Sequence, residues 1–290
     1  MVKKIQDLYL EARRAFMTQE DAQTAGLLAR SLLCHITGKS NEQILTDRDL
    51  YAGEQTCYAM SAAVTRVLNG EPLAYVLGNW EFYGMPIQVT KDVLIPRDDT
   101  CAVTALAIKQ ALFLGDNPRI LDLCTGSGCI GIAIASRVKD AKITCADISK
   151  EALAVAKKNV TINKLTGRVS CVQANALEKA SPFLGKFDMI VSNPPYITTQ
   201  EMEQLPDSVK NYEPHLALHG GKDGLDFYRS IVQNYSDALK PEGYLCFEFG
   251  MGQGDDVCQI LEENNYTILE RSRDYNDRER AVIARVNRKD

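Results

Sequence analysis

The chain has 290 residues, of which 45% are hydrophobic, and a formal net charge of −5, which suits a large globular domain with a smaller one attached. The acidic balance argues against a broad electrostatic grip on nucleic acid, although a local basic patch stays open. Apolar runs fall short of the roughly 18–20 residues of a membrane span, and charges interrupt the first residues too often for a secretory signal.

The first part of the chain, residues 1–75, contains helical patterns only. Apolar residues recur at spacings of three and four from Ile5 to Phe16, which predicts an amphipathic helix. A second helix is expected between an N-cap at Asp21 and Gly38, and a third follows it. We expect a small helical bundle that docks a macromolecular partner; the alternative is an extension that only stabilises the rest of the chain.

The next segment, residues 76–100, is predicted to be a hairpin linker. The stretch "EPLAYVLGNWEFYGMPIQV" places Pro72, Gly78 and Gly84 among aromatic and β-branched residues, a composition typical of a short hairpin. A helix is expected to begin near Thr100.

The remainder, residues 101–290, alternates between strand and helix patterns. This alternation predicts an α/β domain with a doubly wound, mostly parallel sheet covered by helices on both faces. The chain ends with two strand patterns and no helix between them, so we expect an antiparallel final strand. The predicted strands are "RILDLC", "KITCADI", "RVSCVQA", "KFDMIVS", "GYLCFEFG", "YTILERS" and "RERAVIARV".

The glycine-rich stretch "ILDLCTGSGCIGI" is predicted to be a strand, a turn and the start of a helix. Gly126 and Gly128 allow a ligand to approach the backbone at the helix N-terminus. Because Gly131 completes a G-x-G-x-x-G match, the turn alone fits a nicotinamide enzyme equally well, or a purely structural turn.

Two acids make the prediction more specific. Asp122 lies in the strand before the turn, where it can hold an ammonium group or an ordered water. Asp147 ends the next strand, where a carboxylate can accept both hydroxyls of a ribose. This pattern of strand, acid, glycine turn and second acid resembles the seven-stranded methyltransferases that use S-adenosylmethionine.

The stretch "SNPPYI" follows the fourth predicted strand and so opens at the carboxyl edge of the sheet. Two prolines make the loop stiff. A planar amino group is a poor nucleophile, and the side-chain oxygen of Asn193 and the carbonyl of Pro194 can each accept one of its N–H groups. This grip holds the nitrogen, disfavours its conjugation and aims its lone pair. Tyr196 offers a flat face to such a group, and Pro195 stiffens the loop.

Several motifs together resemble the protein-glutamine methyltransferases that modify peptide-chain release factors. The resemblance extends from about Gly70 to the C-terminus. It implies methyl transfer from S-adenosylmethionine to the glutamine side-chain amide in the Gly-Gly-Gln tip of class 1 release factors. The motifs are "GEPLAYVLGNWEFYG", "LIPRDDT", "LDLCTGSG", "SNPPYI", "YEPHLALHGGKDGLDFYR" and "RDYNDRERAVIARV".

Roles for individual residues follow from this resemblance. Asn193 and Pro194 are expected to hold the glutamine amide, Tyr196 to pack on it, and Arg97 to lie near the pocket. The catalytic set is Asn193, Pro194 and Tyr196, and the substrate-binding set adds Pro195 and Arg97. The cofactor-binding set is Asp122, Cys124, Thr125, Gly126, Ser127, Gly128, Asp147, Asn175, Ala176 and Asn193.

The sequence departs from the family pattern at three places. After Arg97 stand two aspartates instead of proline and an acid, and Cys124 replaces the first glycine of the turn. Asn175 stands where the family usually has an acid that accepts from the adenine amino group. Its oxygen can still accept, so we expect a modest loss of cofactor affinity. Ala176 replaces an aromatic side chain that would stack on adenine.

Two other functions remain open at this stage. One is methylation of a ribosomal-protein glutamine, and the other is methylation of nucleic-acid amino groups of the N6-adenine type, which the acidic balance disfavours. We expect a cytoplasmic monomer that binds release factors, with no membrane and no direct nucleic-acid contact. The nine scattered cysteines form no C-x-x-C pair, so we expect reduced thiols and no metal.

Overall fold

The computed structural model describes residues 2–287. It divides into two compact units. The first contains the residues up to Gly78 together with Asp207–Tyr212, and the second contains Asn79–Pro206 together with the residues from Glu213 onwards.

Helices and strands are numbered in chain order. The helices are α1 (Ile5–Phe16), α2 (Ala22–Thr37), α3 (Asn41–Thr46), α4 (Glu54–Leu68), α5 (Leu73–Leu77), α6 (Thr100–Ala111), α7 (Cys129–Arg137), α8 (Lys150–Ile162), α9 (Thr199–Met202), α10 (Asp207–Lys210), α11 (Asp226–Asn234) and α12 (Gly254–Glu263). The strands are β1 (Lys3–Lys4), β2 (Tyr51–Ala52), β3 (Asn79–Phe82), β4 (Met85–Gln88), β5 (Arg119–Leu123), β6 (Lys142–Asp147), β7 (Val169–Gln173), β8 (Phe187–Ser192), β9 (Leu239–Glu248), β10 (Tyr266–Arg273) and β11 (Glu279–Val286).

The first unit is a helical bundle with its own apolar core. The stripe of α1 from Ile5 to Phe16 is buried, as its spacing predicts. Asp21 caps α2 by accepting from two backbone N–H groups, and Gly38 ends it in the left-handed conformation at φ 67°. Both predicted ends of this helix are therefore confirmed.

The second unit is built on a seven-stranded sheet with the order β10-β11-β9-β8-β5-β6-β7. Strands β5 to β9 pair in parallel, whereas β11 runs antiparallel to both of its neighbours. The predicted antiparallel final strand is confirmed. The predicted α/β fold class is confirmed as well.

The central strands are buried on both faces. In β5 and β8 the apolar side chains follow one another without alternation, which is typical of a parallel strand covered by helices on both sides. Helices α6, α7 and α8 pack in one series, and α11 packs on α12 in another.

The structure divides the chain differently from the sequence-based segments. The hairpin β3–β4 groups with the sheet instead of forming a separate linker, and a helix, α5, precedes it inside the stretch predicted wholly as hairpin. This helix begins after Pro72 and ends at Gly78, which has φ 68°. The short segment Asp207–Tyr212 joins the bundle, where the Tyr212 hydroxyl donates to the Asn69 carbonyl at 2.8 Å.

Within residues 2–287, the helices are all too short or too polar to cross a membrane.

Candidate active site

A cavity opens at the carboxyl ends of β5, β6 and β8. This is the edge at which an open parallel sheet binds its ligands, beside the point where the strand order reverses. Ten of the predicted site residues line the cavity: Arg97, Cys124, Thr125, Gly126, Ser127, Asp147, Asn175, Ala176, Asn193 and Pro195. The other four, Asp122, Gly128, Pro194 and Tyr196, do not belong to its wall.

The glycine-rich turn carries the chain from β5 into α7. Gly126 and Gly128 take left-handed conformations at φ 52° and 82°, and Cys124, the residue in place of a glycine, does so at φ 59°. A cysteine is accommodated there, although residues other than glycine rarely adopt this backbone conformation. The third glycine, Gly131, serves packing, since a Cβ there would lie 2.8 Å from the sulfur of Cys145.

Asp122 lies beneath this turn. Its Oδ2 accepts from the Thr125 hydroxyl at 2.5 Å and from the Gly131 N–H at 2.9 Å. Its Oδ1 is buried and has no hydrogen-bond partner among the described residues. Burial raises the pKa of Asp122 to about 7. The residue therefore holds the turn in shape and keeps one unsatisfied acceptor beside it.

Asp147 ends β6 in the cavity wall. Its carboxylate accepts from the Gly126 N–H at 2.9 Å and from the Ser149 N–H at 3.0 Å. Burial raises the pKa of this carboxyl above its ordinary value. Because a carboxylate has about four acceptor positions, it can still accept from a ligand diol.

A buried asparagine that sequence reasoning missed ties the hairpin to the turn. The Asn159 side chain donates to the carbonyls of Gln88 and Ser127, both at 2.9 Å, and accepts from the Gln88 N–H at 2.7 Å. In the same turn, the buried Ser127 hydroxyl has no partner among the described residues. Asn159 thus fixes the turn and leaves a second polar atom available in the cavity wall.

The wall formed by Asn175 and Ala176 is less polar than the family pattern predicts. The Asn175 oxygen accepts from the Leu177 N–H at 2.9 Å, and its amide donates to Glu178 at 3.0 Å. The oxygen is thus already engaged, with one lone pair left. Phe227 of α11 lines the same cavity and supplies an aromatic ring that sequence reasoning did not select.

The loop after β8 brings Asn193 into the cavity wall. The Asn193 Nδ2 donates to the Thr100 hydroxyl at 3.3 Å. Further along, the Ile197 N–H donates to the Leu218 carbonyl at 2.9 Å, and the Tyr196 carbonyl accepts from the Gln253 amide at 3.1 Å. Hydrogen bonds on both sides of the loop therefore hold it in place, in addition to the conformational restriction by its prolines.

Tyr196 itself packs against the apolar core instead of lining the cavity. Burial raises the pKa of its hydroxyl well above the ordinary value. Its expected role as a flat platform for the acceptor group stays a prediction.

Two glycines explain why the motif "HGGKDG" accompanies the loop. A Cβ at Gly220 would lie 2.6 Å from the Pro195 carbonyl oxygen, and a Cβ at Gly224 would lie 2.3 Å from that of Tyr196. Side chains cannot approach a backbone so closely, so only glycine permits this packing. The glycines of the motif therefore allow it to pack directly against the backbone of the proline loop.

Two arginines of the second unit, Arg97 and Arg280, form ion pairs, and Arg97 lines the cavity. Arg97 pairs with the buried Glu213, whose second oxygen accepts from the Ile95 N–H at 3.3 Å. The Arg280 Nη2 lies 2.9 Å from the Asp99 Oδ2, and the Arg280 Nε lies 3.1 Å from the Asp274 Oδ2. These pairs connect the "LIPRDDT", "YEPHLAL" and "RDYNDRER" motifs to one region of the second unit.

A buried glutamate, Glu248, ends β9 behind Asn193. Burial raises its pKa to about 8, although the nearby Thr100 and Asn193 side chains and the positive charge of Arg280 lower it. Its Oε2 has no hydrogen-bond partner among the described residues. Sequence reasoning missed it, although an acid at the carboxyl end of a parallel strand is the same signal that identified Asp147.

The two buried carboxyls predict an unusual dependence of stability on pH. In the folded chain the pKa values of Asp122 and Glu248 are raised to about 7 and about 8. In the unfolded chain both carboxyls lose their protons near the ordinary pKa values of aspartate and glutamate. The unfolded chain thus binds fewer protons, and the free energy of unfolding should fall as the pH rises from about 5 to about 8.

The check is urea unfolding at several pH values for the wild type and for Asp122→Asn with Glu248→Gln. The double variant should lose clearly less stability over this range, whereas an exposed control, Asp256→Asn, should follow the wild type. A double variant that loses as much as the wild type would show that neither carboxyl is held neutral.

Family models match both parts of the chain. Residues 8–78 match the PrmC N-terminal domain, and residues 102–211 match the methyltransferase small domain.

The fold is shared with solved methyltransferases of low sequence identity. The hMettl16 catalytic domain in complex with MAT2A 3'UTR hairpin 6 superposes with a TM-score of 0.56 at 14% identity, covering 83% of this chain and 86% of that one. A methyltransferase from Pyrococcus furiosus gives a TM-score of 0.51 at 19% identity, with coverages of 79% and 100%. These similarities establish the fold alone.

Closer relatives cover most of the chain. The release factor glutamine methyltransferase of Clostridium acetobutylicum is 37% identical over 253 residues, which is 87% of this chain and 88% of that protein. That of Haemophilus influenzae is 38% identical over 264 residues, with coverages of 87% and 88%. That of Fusobacterium nucleatum is 42% identical over 222 residues, although the match spans only 62% of that relative. The chain therefore belongs to the family of release factor glutamine methyltransferases.

Proposed function

We propose that the chain transfers a methyl group from S-adenosylmethionine to the side-chain amide nitrogen of the glutamine in the Gly-Gly-Gln tip of class 1 release factors. The observation that carries this proposal is the position of Asn193. Its carboxamide lies in the wall of the same cavity as the glycine-rich turn, on a loop stiffened by two prolines and moulded by two glycines.

The residues present fit the cofactor. The buried Asp122 Oδ1 and Ser127 Oγ are polar atoms without a hydrogen-bond partner in the described part of the chain, and the Asp147 carboxylate lines the cavity. Asp122, which lies beneath the turn and outside the cavity wall, would serve the amino-acid end of the cofactor through an ordered water. Asp147 would serve the ribose hydroxyls, and the wall with Ala176 and Phe227 the adenine. When bound, the cofactor supplies an electrophilic methyl group on a sulfonium.

The protein's task is to present a weak nucleophile. A carboxamide nitrogen is planar because its lone pair is conjugated with the carbonyl. The Asn193 oxygen would accept one N–H of the substrate amide, which fixes the nitrogen and orients its lone pair. The Pro194 carbonyl, which lies outside the cavity wall, would have to turn towards the substrate to accept the second N–H. Acceptors that are already in place need no reorganisation during the reaction, so a stiff loop favours catalysis.

The partner is proposed to be the release factor itself. Arg97, which lines the cavity and pairs with Glu213, would contact the peptide around the target glutamine. The helical unit is proposed to dock the partner. The enzyme is proposed to act as a cytoplasmic monomer without direct contact to nucleic acid.

Competition between acceptors tests the substrate. The full chain is incubated with labelled S-adenosylmethionine, a class 1 release factor, a ribosomal-protein fraction and nucleic acid in one mixture. Label should enter the release factor, and a factor with its tip glutamine changed to glutamate should remain unlabelled. If label enters only nucleic acid or only ribosomal protein, that acceptor is the substrate and the release factor is not.

A further inference from the structure

The fully buried side chain of Asn159 makes three hydrogen bonds, although the residue lies outside the cavity wall. Its Nδ2 donates to the carbonyls of Gln88 and Ser127, both at 2.9 Å, and its Oδ1 accepts from the Gln88 N–H at 2.7 Å. The backbone of Gln88 fixes which end of the amide is which, because an N–H only donates and a carbonyl only accepts. The place therefore requires a carboxamide, since a carboxylate would set its oxygens against two carbonyl oxygens.

The Ser127 carbonyl depends on Asn159 because α7 does not supply its usual donor. In a regular helix the Gly131 N–H, four residues further along, would donate to this carbonyl. That N–H donates instead to the Asp122 Oδ2 at 2.9 Å. Asp122 from β5 and Asn159 from α8 therefore hold the start of α7 from two sides.

The bond from Asn159 fixes the peptide plane between Ser127 and Gly128. The carbonyl of this peptide accepts from Asn159, and its N–H, that of Gly128, donates to the Thr125 carbonyl at 2.9 Å. A peptide group is planar and stiff, so bonds to both of its polar groups determine its orientation. This orientation leads into the left-handed backbone of Gly128, which has φ 82°, and so sets the path of the turn past the cavity.

The hairpin gives Asn159 a fixed support. Strand β4 pairs with β3 through its whole length, and Ile87 and Val89, on either side of Gln88, are buried. The Asn163 Nδ2 donates to the Pro86 carbonyl at 2.9 Å, so α8 binds the backbone of β4 through two asparagines. Asn159 extends this contact to the turn, whereas the second bond of the Asn163 Nδ2 is to a carbonyl of its own helix.

Helix α8 also packs directly on the turn. A Cβ at Gly128 would lie 3.3 Å from the Cβ of Ala156. Ala156 precedes Asn159 by three residues and so lies on the same face of the helix. This face of α8 therefore contacts the turn by close packing and by a hydrogen bond, and Asn159 connects both to the hairpin.

We propose that Asn159 is a positioning residue for S-adenosylmethionine, which locks the glycine-rich turn to the hairpin backbone and keeps it in one conformation before the cofactor binds. A turn released from this bond populates other conformations, and the apparent affinity falls with the fraction of molecules that are competent to bind. The inference concerns the cofactor side of the cavity and does not depend on which acceptor receives the methyl group.

The test compares Asn159→Asp and Asn159→Ser with the matched control Asn163→Asp. Aspartate keeps the shape of asparagine but loses the NH₂ group, and serine removes the amide without adding a charge. The control removes the bond from the same helix to Pro86 and leaves the contact with the turn intact. Calorimetric titration of the full chain with S-adenosylhomocysteine should show affinity lowered by about tenfold or more in both Asn159 variants, and within about threefold of the wild type in the control.

Kinetics provide the second readout. The Asn159 variants should raise the KM for S-adenosylmethionine by about tenfold or more and leave kcat at saturating cofactor within about threefold of the wild type. The reason is that the loop carrying Asn193 is held by other bonds, those of Ile197 to Leu218 and of Gln253 to Tyr196. A general loss of stability does not produce this division between KM and kcat.

Each outcome decides the proposal. Folded Asn159 variants that bind S-adenosylhomocysteine like the wild type overturn it, and so does an equal loss of affinity in Asn163→Asp or a loss of kcat at unchanged affinity. Melting temperatures identify misfolding, and failure of both Asn159 variants to fold beside a folded control would assign the residue to stability alone. A wild type that binds S-adenosylhomocysteine but leaves the release factor unmethylated removes the proposed function, whereas the binding constants still decide the inference.

Discussion

Replacing Asn193 by alanine is expected to lower kcat by at least about 100-fold, because it removes an acceptor that is aimed at the reacting nitrogen. The affinity for S-adenosylhomocysteine should change by less than about threefold, since the cofactor's expected contacts lie on the glycine-rich turn and Asp147. Single-turnover rates with release factor and calorimetric titration with S-adenosylhomocysteine measure the two quantities separately.

The matched control is Asn276→Ala, at an exposed turn residue of the same unit. It should leave both quantities unchanged. Near-normal turnover by Asn193→Ala would refute the role of this side chain. Loss of turnover together with a large loss of cofactor affinity would make Asn193 a cofactor ligand rather than a substrate clamp.

Replacing Gly224 by alanine is expected to destabilise the loop that carries Asn193. The new Cβ would lie 2.3 Å from the Tyr196 carbonyl oxygen and 2.4 Å from the Gln253 Nε2, at a backbone φ of +76°. The bond between these two groups, 3.1 Å long, would have to break or move. Overpacking combined with backbone strain costs about 1–3 kcal/mol, and displacement of the loop should lower kcat by about 100-fold.

Gly167→Ala is the control, because a Cβ there meets nothing within 4 Å and the backbone is not left-handed. It should retain both stability and turnover. Urea unfolding and kcat are measured for both variants. Full activity and unchanged stability in Gly224→Ala would show that the loop is not moulded by the glycine motif.

Local patterns were sufficient to predict most of the fold. Buried apolar runs such as "FDMIV" in β8, alternating with capped helices, led to the parallel sheet and its antiparallel end. They were less informative where elements are short. Helix α5 has five residues, too few for a periodic signal, and its β-branched and aromatic neighbours favoured a hairpin.

The candidate site was predictable where one segment carries the chemistry. The glycine turn, Asp147 and Asn193 each follow a strand directly, so the parallel sheet brings them to a common edge. The structure does place these residues around a single cavity. Asp122, by contrast, accepts hydrogen bonds from the turn itself through its Oδ2, and no local pattern indicates these bonds.

Contacts between distant segments could not be predicted in this way. Thr100 and Asn193 meet across 93 positions of sequence, and Arg97 meets Glu213 across 116. Periodicity describes the faces of single elements and contains no information about which loops meet. The same holds for Gly224, whose need for glycine arises from a carbonyl 28 residues earlier, that of Tyr196.

Tandem mass spectrometry of a release factor after incubation with the enzyme and S-adenosylmethionine identifies the atom that receives the methyl group. We expect a gain of one CH₂ on the side-chain amide nitrogen of the tip glutamine, and no such gain when Asn193→Ala replaces the wild type. A gain on any other residue, or an unmodified tip beside methylated nucleic acid, would contradict the claim that this cavity grips a glutamine carboxamide.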